Sequence, residues 1–402
     1  MRIEDLRSEK NGNRNRVAAT VKWEDSERSA QEVFFETTEP FVKDLSCNPD
    51  AFLIGCIMPA MFHGEKRVFL DAEVHPEIRE GAVSAMCWIR QWNPSSGFQL
   101  PALETGTKFK RPATTRPRRA GMFFSGGIDS LATLRYNLLN FPEGHAWSIK
   151  DALFVYGLEI DDQEKFGYVV DSLAELTADA GITLVPVYTN IRQLEDDWNF
   201  WGLAFHDAVF AAIAHAFVER LNVVSISATW DIPNQQPYGT HPLLDMAFSS
   251  SDMLIRHDGI LLSRLDKTRL VVEWDRALRN LRVCNQSEFY RPDMLNCGKC
   301  IKCVRAMVSL LALGVLDRTD AFPAHDVSVE LLESSIKIFR PTVCFYEELI
   351  VPLRRIGRFD LACVIEHKIS EYRRRKLKAD FRAVAKRFDH EYFNGIVSSL
   401  RK

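Results

Sequence analysis

From Ala120 onward the chain alternates two periodicities, and that alternation limits the fold more than any other feature. Short runs rich in β-branched and aromatic residues at 121–124, 152–158, 182–188 and 223–228 read as buried strands. Stretches with helical spacing at 128–139, 164–180 and 203–221 separate them, and the second stops at Gly181, the residue type that suits a helix C-terminus. Strand and helix in regular succession predict an α/β fold with a doubly wound parallel sheet, its helices covering both faces. Ligands of such sheets bind beyond the carboxyl ends of the strands.

The first strand-to-helix turn falls at that edge. It reads Ser125-Gly126-Gly127-Ile128-Asp129-Ser130 and follows Met122-Phe123-Phe124. A glycine turn entering a helix aims backbone N–H groups and the positive end of the helix dipole at an anion, and glycine lets the backbone approach phosphate oxygens closely. The serine hydroxyls add neutral donors. Asp129 is a carboxylate where a pure anion cradle would avoid one, which points to magnesium or a polar network. The string has neither the glycine spacing of the dinucleotide fingerprint nor the Lys-Ser/Thr ending of the Walker loop.

A second motif is Cys284 followed after twelve residues by Cys297-Gly298-Lys299-Cys300-Ile301-Lys302-Cys303. Four thiolates at this spacing suit tetrahedral Zn²⁺, with an iron–sulfur cluster or a redox pair as alternatives. The other cysteines, Cys47, Cys56, Cys87, Cys344 and Cys363, stand mostly among apolar residues and read as small core residues. Nine cysteines in a chain that opens Met1-Arg2-Ile3-Glu4-Asp5, with no run apolar enough to span a bilayer, predict a cytoplasmic thiol protein. Net charge is −3, so bulk charge does not make it a polyanion binder.

Three segments are expected. Residues 1–107 form an α+β N-terminal domain with β-like stretches at 16–23 and 32–37, an apolar run at 51–58 and a helix-like stretch at 75–92. A linker from Lys108 to Arg119 carries six basic residues and two prolines. Residues 118–310 are the core with the four-cysteine site, and 311–402 are a helical C-terminal extension that includes Arg373-Arg374-Arg375-Lys376-Leu377-Lys378, read as a solvated helix face.

The loop resembles the SGGxDS signature of the PP-loop ATP pyrophosphatases, and its combination with C…CGxCxxC resembles the 7-cyano-7-deazaguanine synthase family within them. The match covers about residues 118 to 310; the chain is longer than simple members and looks more like enlarged relatives from biosynthetic and antiviral defence operons, with chemistry like that of queuosine biosynthesis. The resemblance implies an adenine nucleotide α-hydrolase-like fold and an ATP-dependent C–N ligase. Such an enzyme adenylates a 7-carboxy-7-deazaguanine-type carboxylate, releases pyrophosphate and forms an amide or nitrile with ammonia or another amine. A protein N-terminus is a further candidate acceptor. Ser125, Gly126, Gly127, Ile128, Asp129 and Ser130 would then hold ATP, with Mg²⁺ as counter-ion, and Cys284, Cys297, Cys300 and Cys303 would bind Zn²⁺. Two alternatives stand beside it: a PP-loop tRNA-modifying enzyme (thiolase or amidine-forming ligase) acting on RNA, and a non-catalytic ATP sensor that docks on a partner. A dimer is compatible with all three.

Lys267 is the candidate cation. Ser263-Arg264-Leu265-Asp266-Lys267 reads as a capped helix start that puts Arg264 and Lys267 one turn apart on one face. Glu159, Asp161 and Asp162 follow the second core strand and compete between nucleotide or magnesium contact and plain helix-start acids. Trp230, Asp231 and the stretch Gly239-Thr240-His241-Pro242 are weighed as base-pocket residues against a buried tryptophan and its neighbours. His206 and His215 lie on opposite sides of one helix and cannot share a metal. His257-Asp258-Gly259, ending a short apolar run, reads first as a turn, with a catalytic role as the alternative.

Overall fold

In the computed structural model, residues 1–107, 119–286 and 294–393 are described. Ten strands among them form one sheet: β1 (Arg2–Asn11), β2 (Arg14–Lys22), β3 (Gln31–Thr38), β4 (Arg67–Val74), β5 (Ala102–Thr107), β6 (Ala120–Phe123), β7 (Ile149–Tyr156), β8 (Thr183–Thr189), β9 (Val223–Ser227) and β10 (Leu254–Asp258). Their order is β10-β9-β6-β7-β8-β3-β2-β1-β4-β5.

The five strands β6 to β10 are mutually parallel, and β6 to β9 are the four that the alternating pattern predicts. The chain runs from β6 to β7 and β8 on one side, then crosses to β9 and β10 on the other. The topological switch point therefore lies between β6 and β9, where the strand order reverses and a crevice opens at the carboxyl ends. The helices expected at 128–139 and 164–180 are Ile128–Asn140 and Gln163–Asp179. The third stretch is interrupted, since a π-helical turn Trp201–Phe205 precedes the regular helix His206–Ala216.

The N-terminal and core segments expected as separate domains hydrogen-bond into this one sheet. β3 runs antiparallel to β8, with Phe35 opposite Thr189 and Thr37 opposite Val187. The Thr37 hydroxyl donates to the Pro186 carbonyl (2.8 Å) and the Thr189 hydroxyl to the Phe34 carbonyl (2.7 Å). The run at 51–58 is the helix Pro49–Phe62, apolar on every side because it is buried on every side. A Cβ on its Gly55 would come 2.4 Å from Ile191 Cδ1, so glycine leaves room there for the Ile191 side chain.

By contact the chain divides into two compact units, Met1–Asn296 and Cys297–Lys402. In the second, the helices Ile301–Ala312, Val329–Ser335, Val343–Arg355 and Phe359–Phe393 follow one another. Phe345, Tyr346, Leu349 and Leu353 are buried, as are Leu361, Ala362 and Ile365 on the long last helix. Residues 373–378 are exposed on that helix. The basic linker at 108–118 lies outside the described residues. No helix among the described residues is long and apolar enough to cross a membrane.

Candidate functional site

Ser125 to Ser130 occupy the switch point. Gly126 adopts a left-handed backbone (φ 74°), the conformation that favours glycine, and a Cβ there would sit 2.8 Å from the tip of Leu173. Gly127 is the N-cap of the helix Ile128–Asn140 and no side chain caps it. Its N–H donates to Ser125 Oγ (3.3 Å), while Ser130 Oγ donates to the Gly127 carbonyl (3.1 Å). The hydroxyls thus brace the turn, and the helix start is left open at the sheet edge.

Asp129 meets two cations. Arg264 Nη1 donates to its Oδ2 at 2.5 Å, and Lys267 Nζ stands 3.6 Å from its Oδ1. Both come from the helix Arg264–Val272, whose N-cap Ser263 accepts from the Asp266 N–H, so the expected capped start places the two basic residues on one carboxylate. Lys267 is 1% exposed. Its ammonium donates to the Ala228 carbonyl (2.6 Å) and the Thr229 carbonyl (3.4 Å), just past the end of β9. Burial pushes its pKa below the ordinary lysine value, Asp129 raises it again and Arg264 adds to the depression.

Arg282 was not anticipated from the sequence. Its N–H donates to the Gly126 carbonyl (2.9 Å) and its Nη1 to the Ser125 carbonyl (3.1 Å), which ties the glycine turn to the segment leading into Cys284. Asn296, fully buried, holds that segment in turn. Its Oδ1 accepts from the N–H groups of Val283 (2.8 Å) and Cys284 (3.1 Å), and its Nδ2 donates to the Leu281 carbonyl (2.7 Å). An arginine and an asparagine in a short polar stretch carry no spacing signal, so only the fold reveals them.

The four cysteine sulfurs of Cys284, Cys297, Cys300 and Cys303 all lie within 4.8 Å of one another. A tetrahedral zinc with Zn–S bonds of about 2.3 Å sets sulfurs about 3.8 Å apart; Cys297 Sγ and Cys303 Sγ are 3.8 Å apart. Backbone N–H groups point at the sulfurs, Cys300 N at Cys297 Sγ (3.3 Å), Cys303 N at Cys300 Sγ (3.5 Å) and Gln286 N at Cys284 Sγ (3.4 Å). Such N–H donors stabilise thiolates, and the donor set fits a structural metal such as zinc. Gly298 (φ 69°) makes the turn, where a Cβ would lie 2.5 Å from Pro323 Cγ. Of the remaining cysteines Cys56 is buried in the core, its pKa pushed up to about 12 by burial, and the half-buried Cys47 packs against that core; Cys87 and Cys344 are half-buried, and the expectation of a core residue fails for the exposed Cys363.

Other candidates resolve on the bland side. Asp162 caps the helix Gln163–Asp179 by accepting from the Lys165 N–H (2.9 Å), and the Asp161 carbonyl accepts from the Tyr156 hydroxyl (2.6 Å). Trp230 is buried edge-on against Tyr238, with ring centroids 5.0 Å apart. Asp231 accepts from Asn234 Nδ2 (2.6 Å), and His241 caps the short helix Pro242–Asp245. Gly239 allows close backbone passage, since a Cβ would lie 2.6 Å from His206 Nδ1. His206 bonds the Trp201 carbonyl (3.0 Å) and burial lowers its pKa to about 4, whereas His215 bonds the Phe248 carbonyl (2.9 Å); the two are structural and separate.

His257 and Asp258 are strand residues rather than a turn. They end β10, pairing with Ile226 and Ser227, and the turn begins at Gly259 (φ 92°). His257 Nδ1 lies 2.5 Å from Oδ2 of the buried Asp245, and Asp207 is fully buried beside that carboxyl. Burial, together with Asp245, raises the Asp207 pKa well above the usual carboxylate value. A folded state that keeps a proton which the unfolded chain releases above about pH 4 loses stability as pH rises toward that raised value. Asp207→Asn, which cannot titrate, is expected to flatten the decline, its advantage growing with pH; parallel denaturant midpoints for the two proteins across pH 5 to 8 would refute this.

Comparison of the chain with protein-family models, with curated proteins and with solved structures finds no match.

Proposed function

We propose that the protein adenylates a carboxylic acid with ATP and passes the acyl group to ammonia or another amine. The observation that carries this reading is the convergence, at an open helix start on the switch point, of Asp129, Arg264 and the buried Lys267. A glycine turn there offers N–H donors to phosphate, and a buried cation beside it can neutralise charge that builds on the α-phosphate as pyrophosphate departs. In the first step a carboxylate oxygen attacks the α-phosphorus and the bond to pyrophosphate breaks. In the second the amine nitrogen attacks the acyl carbon, AMP leaves and a proton is lost from nitrogen.

Asp129 accepts from Arg264 through Oδ2, while its buried Oδ1 makes no hydrogen bond and faces Lys267 Nζ at 3.6 Å, which fits a residue that positions the two cations and keeps one oxygen for a metal ion. Magnesium would enter with the nucleotide's own phosphates. Zinc at Cys284, Cys297, Cys300 and Cys303 would be structural, holding the segment that Arg282 ties to the glycine turn. The SGGIDS loop and the four cysteines together favour a 7-carboxy-7-deazaguanine-type acid and a cytoplasmic setting, with an amide or protein conjugate as product, or a nitrile where a second ATP adenylates the amide oxygen, which then leaves as AMP with loss of the two nitrogen protons. The thiolase alternative wants a cysteine pair on the loops of the core, and none of the cysteines outside the metal-type cluster, at 47, 56, 87, 344 and 363, falls within the segments that follow β6 to β9. The test is to incubate the protein with ATP, magnesium, 7-carboxy-7-deazaguanine and ammonium. AMP and pyrophosphate in equal amounts, dependent on the acid, are expected; ADP and phosphate, or no turnover beside tight ATP binding, would overturn the reading.

A further inference from the structure

A cleft of about 310 Å³ opens beside Lys267, lined by Thr133 and Tyr136 of the helix Ile128–Asn140, by Phe141, by His257 at the end of β10, and by Leu261. Its wall is mostly apolar, since Ala132, Ile260 and Leu262 complete it. Polar side chains on the wall are largely committed elsewhere. Asn137 donates to the Trp147 carbonyl (2.8 Å) and accepts from the Ile149 N–H (2.9 Å). Asp258 accepts from Arg256 (2.6 and 3.1 Å) and from Ser225 Oγ (2.6 Å), which also occupies the Arg256 guanidinium. One end carries a charge. Gly259 (φ 92°) lies there, and a Cβ on it would come 3.6 Å from Lys267 Cε and 4.0 Å from Nζ.

An apolar slot with one buried ammonium at its end, which donates to the Ala228 and Thr229 carbonyls and stands 3.6 Å from the Asp129 carboxylate, suits a ligand with an apolar body and one carboxylate that takes the remaining hydrogen. We propose that this cleft seats the ring body of the activated acid, a flat bicyclic monocarboxylate held by its faces and shape, with its carboxylate at Lys267. The assignment rests on the adenylation reading for what happens to that carboxylate, but not for the binding itself. Its specific content is that hydrogen bonds to the edge of the ring contribute little, because the wall has few groups to make them.

Calorimetric titration of the full-length protein with indole-3-carboxylate and with 7-carboxy-7-deazaguanine separates these points. The two acids share a bicyclic outline and differ in polar edge. They are expected to bind within about tenfold of one another, and Tyr136→Ala, at a partly exposed position, is expected to weaken both by about tenfold while leaving affinity for a non-hydrolysable ATP analogue unchanged. Leu261→Trp, at an exposed position on the rim, should weaken both as well. Absence of binding by either acid, a preference above about a hundredfold for the deazaguanine acid, or unchanged affinity in both variants would overturn the cleft assignment. Binding that responds to the variants without AMP formation would uphold the cleft and overturn adenylation; acid-dependent AMP formation that ignores the variants would do the reverse.

Discussion

Lys267→Met is expected to cut acid-dependent AMP formation by about a hundredfold or more, since one preorganised charge at a developing oxyanion is worth about 3 kcal/mol. Methionine keeps most of the volume of this buried side chain and removes its charge. The loss should fall on kcat more than on the KM for ATP, because N–H groups of the glycine turn would still hold the phosphates. Asp129→Asn should act on the same step indirectly, by leaving Arg264 and Lys267 without the carboxylate that now holds them at 2.5 and 3.6 Å. A stability cost of about 1–3 kcal/mol accompanies either change, because a buried polar partner is stranded. A denaturation curve separates that cost from the catalytic effect, and a Lys267→Met protein that is folded and fully active would remove Lys267 from the site.

Cys300→Ser is expected to lower bound zinc from about one equivalent to near zero, since a tetrahedral thiolate site rarely holds its metal on three sulfurs as tightly as on four. Structural metal binding is folding free energy, so the thermal midpoint should fall, and a chelator should do the same to the unaltered protein. The loss should also reach the nucleotide. Cys284 is two residues from Arg282, whose contacts with the Ser125 and Gly126 carbonyls set the glycine turn, so affinity for ATP should weaken alongside zinc loss. Elemental analysis that finds iron, or no metal, in the unaltered protein would contradict the structural zinc.

Much of the parallel half of the sheet was legible in the sequence because its strands are buried on both faces and read as unbroken apolar runs. Val223–Ser227 and Ala120–Phe123 are of this kind. β1 was not legible, and the reason is electrostatic. Its sequence RIEDLRSEKN shows charge at most positions, yet Arg7 pairs with Asp5, Glu9 and Glu32, while Arg16 of the neighbouring strand pairs with Glu32 and Glu36. A strand whose outer face is an ion-pair ladder has no hydrophobic alternation to detect. The end of β10 reads as a turn because its last residues are His257 and Asp258, whose polarity is satisfied in part from outside the local sequence, by Asp245 and Ser225.

The same distinction divides the site. Residues bound by local rules were visible: the glycines by backbone conformation, the cysteines by spacing, and Arg264 with Lys267 by helical repeat. What joins them was not. Asp129 faces Arg264 from 135 positions away, and Arg282 reaches Ser125 across 157. The shared sheet of the N-terminal and core segments has the same character, resting on β3 meeting β8 through Thr37 and Thr189, two ordinary strand residues.

The most direct test of adenylation follows the oxygen itself. With the acid labelled by heavy oxygen in its carboxylate, attack on the α-phosphorus and later release of the acyl group must leave one labelled oxygen on AMP. Mass spectrometry of AMP from a complete reaction is expected to show that single label, in step with product formed. Unlabelled AMP alongside product would mean that the carboxylate never bonded to the α-phosphorus, and would contradict the role assigned to the loop, Asp129 and Lys267.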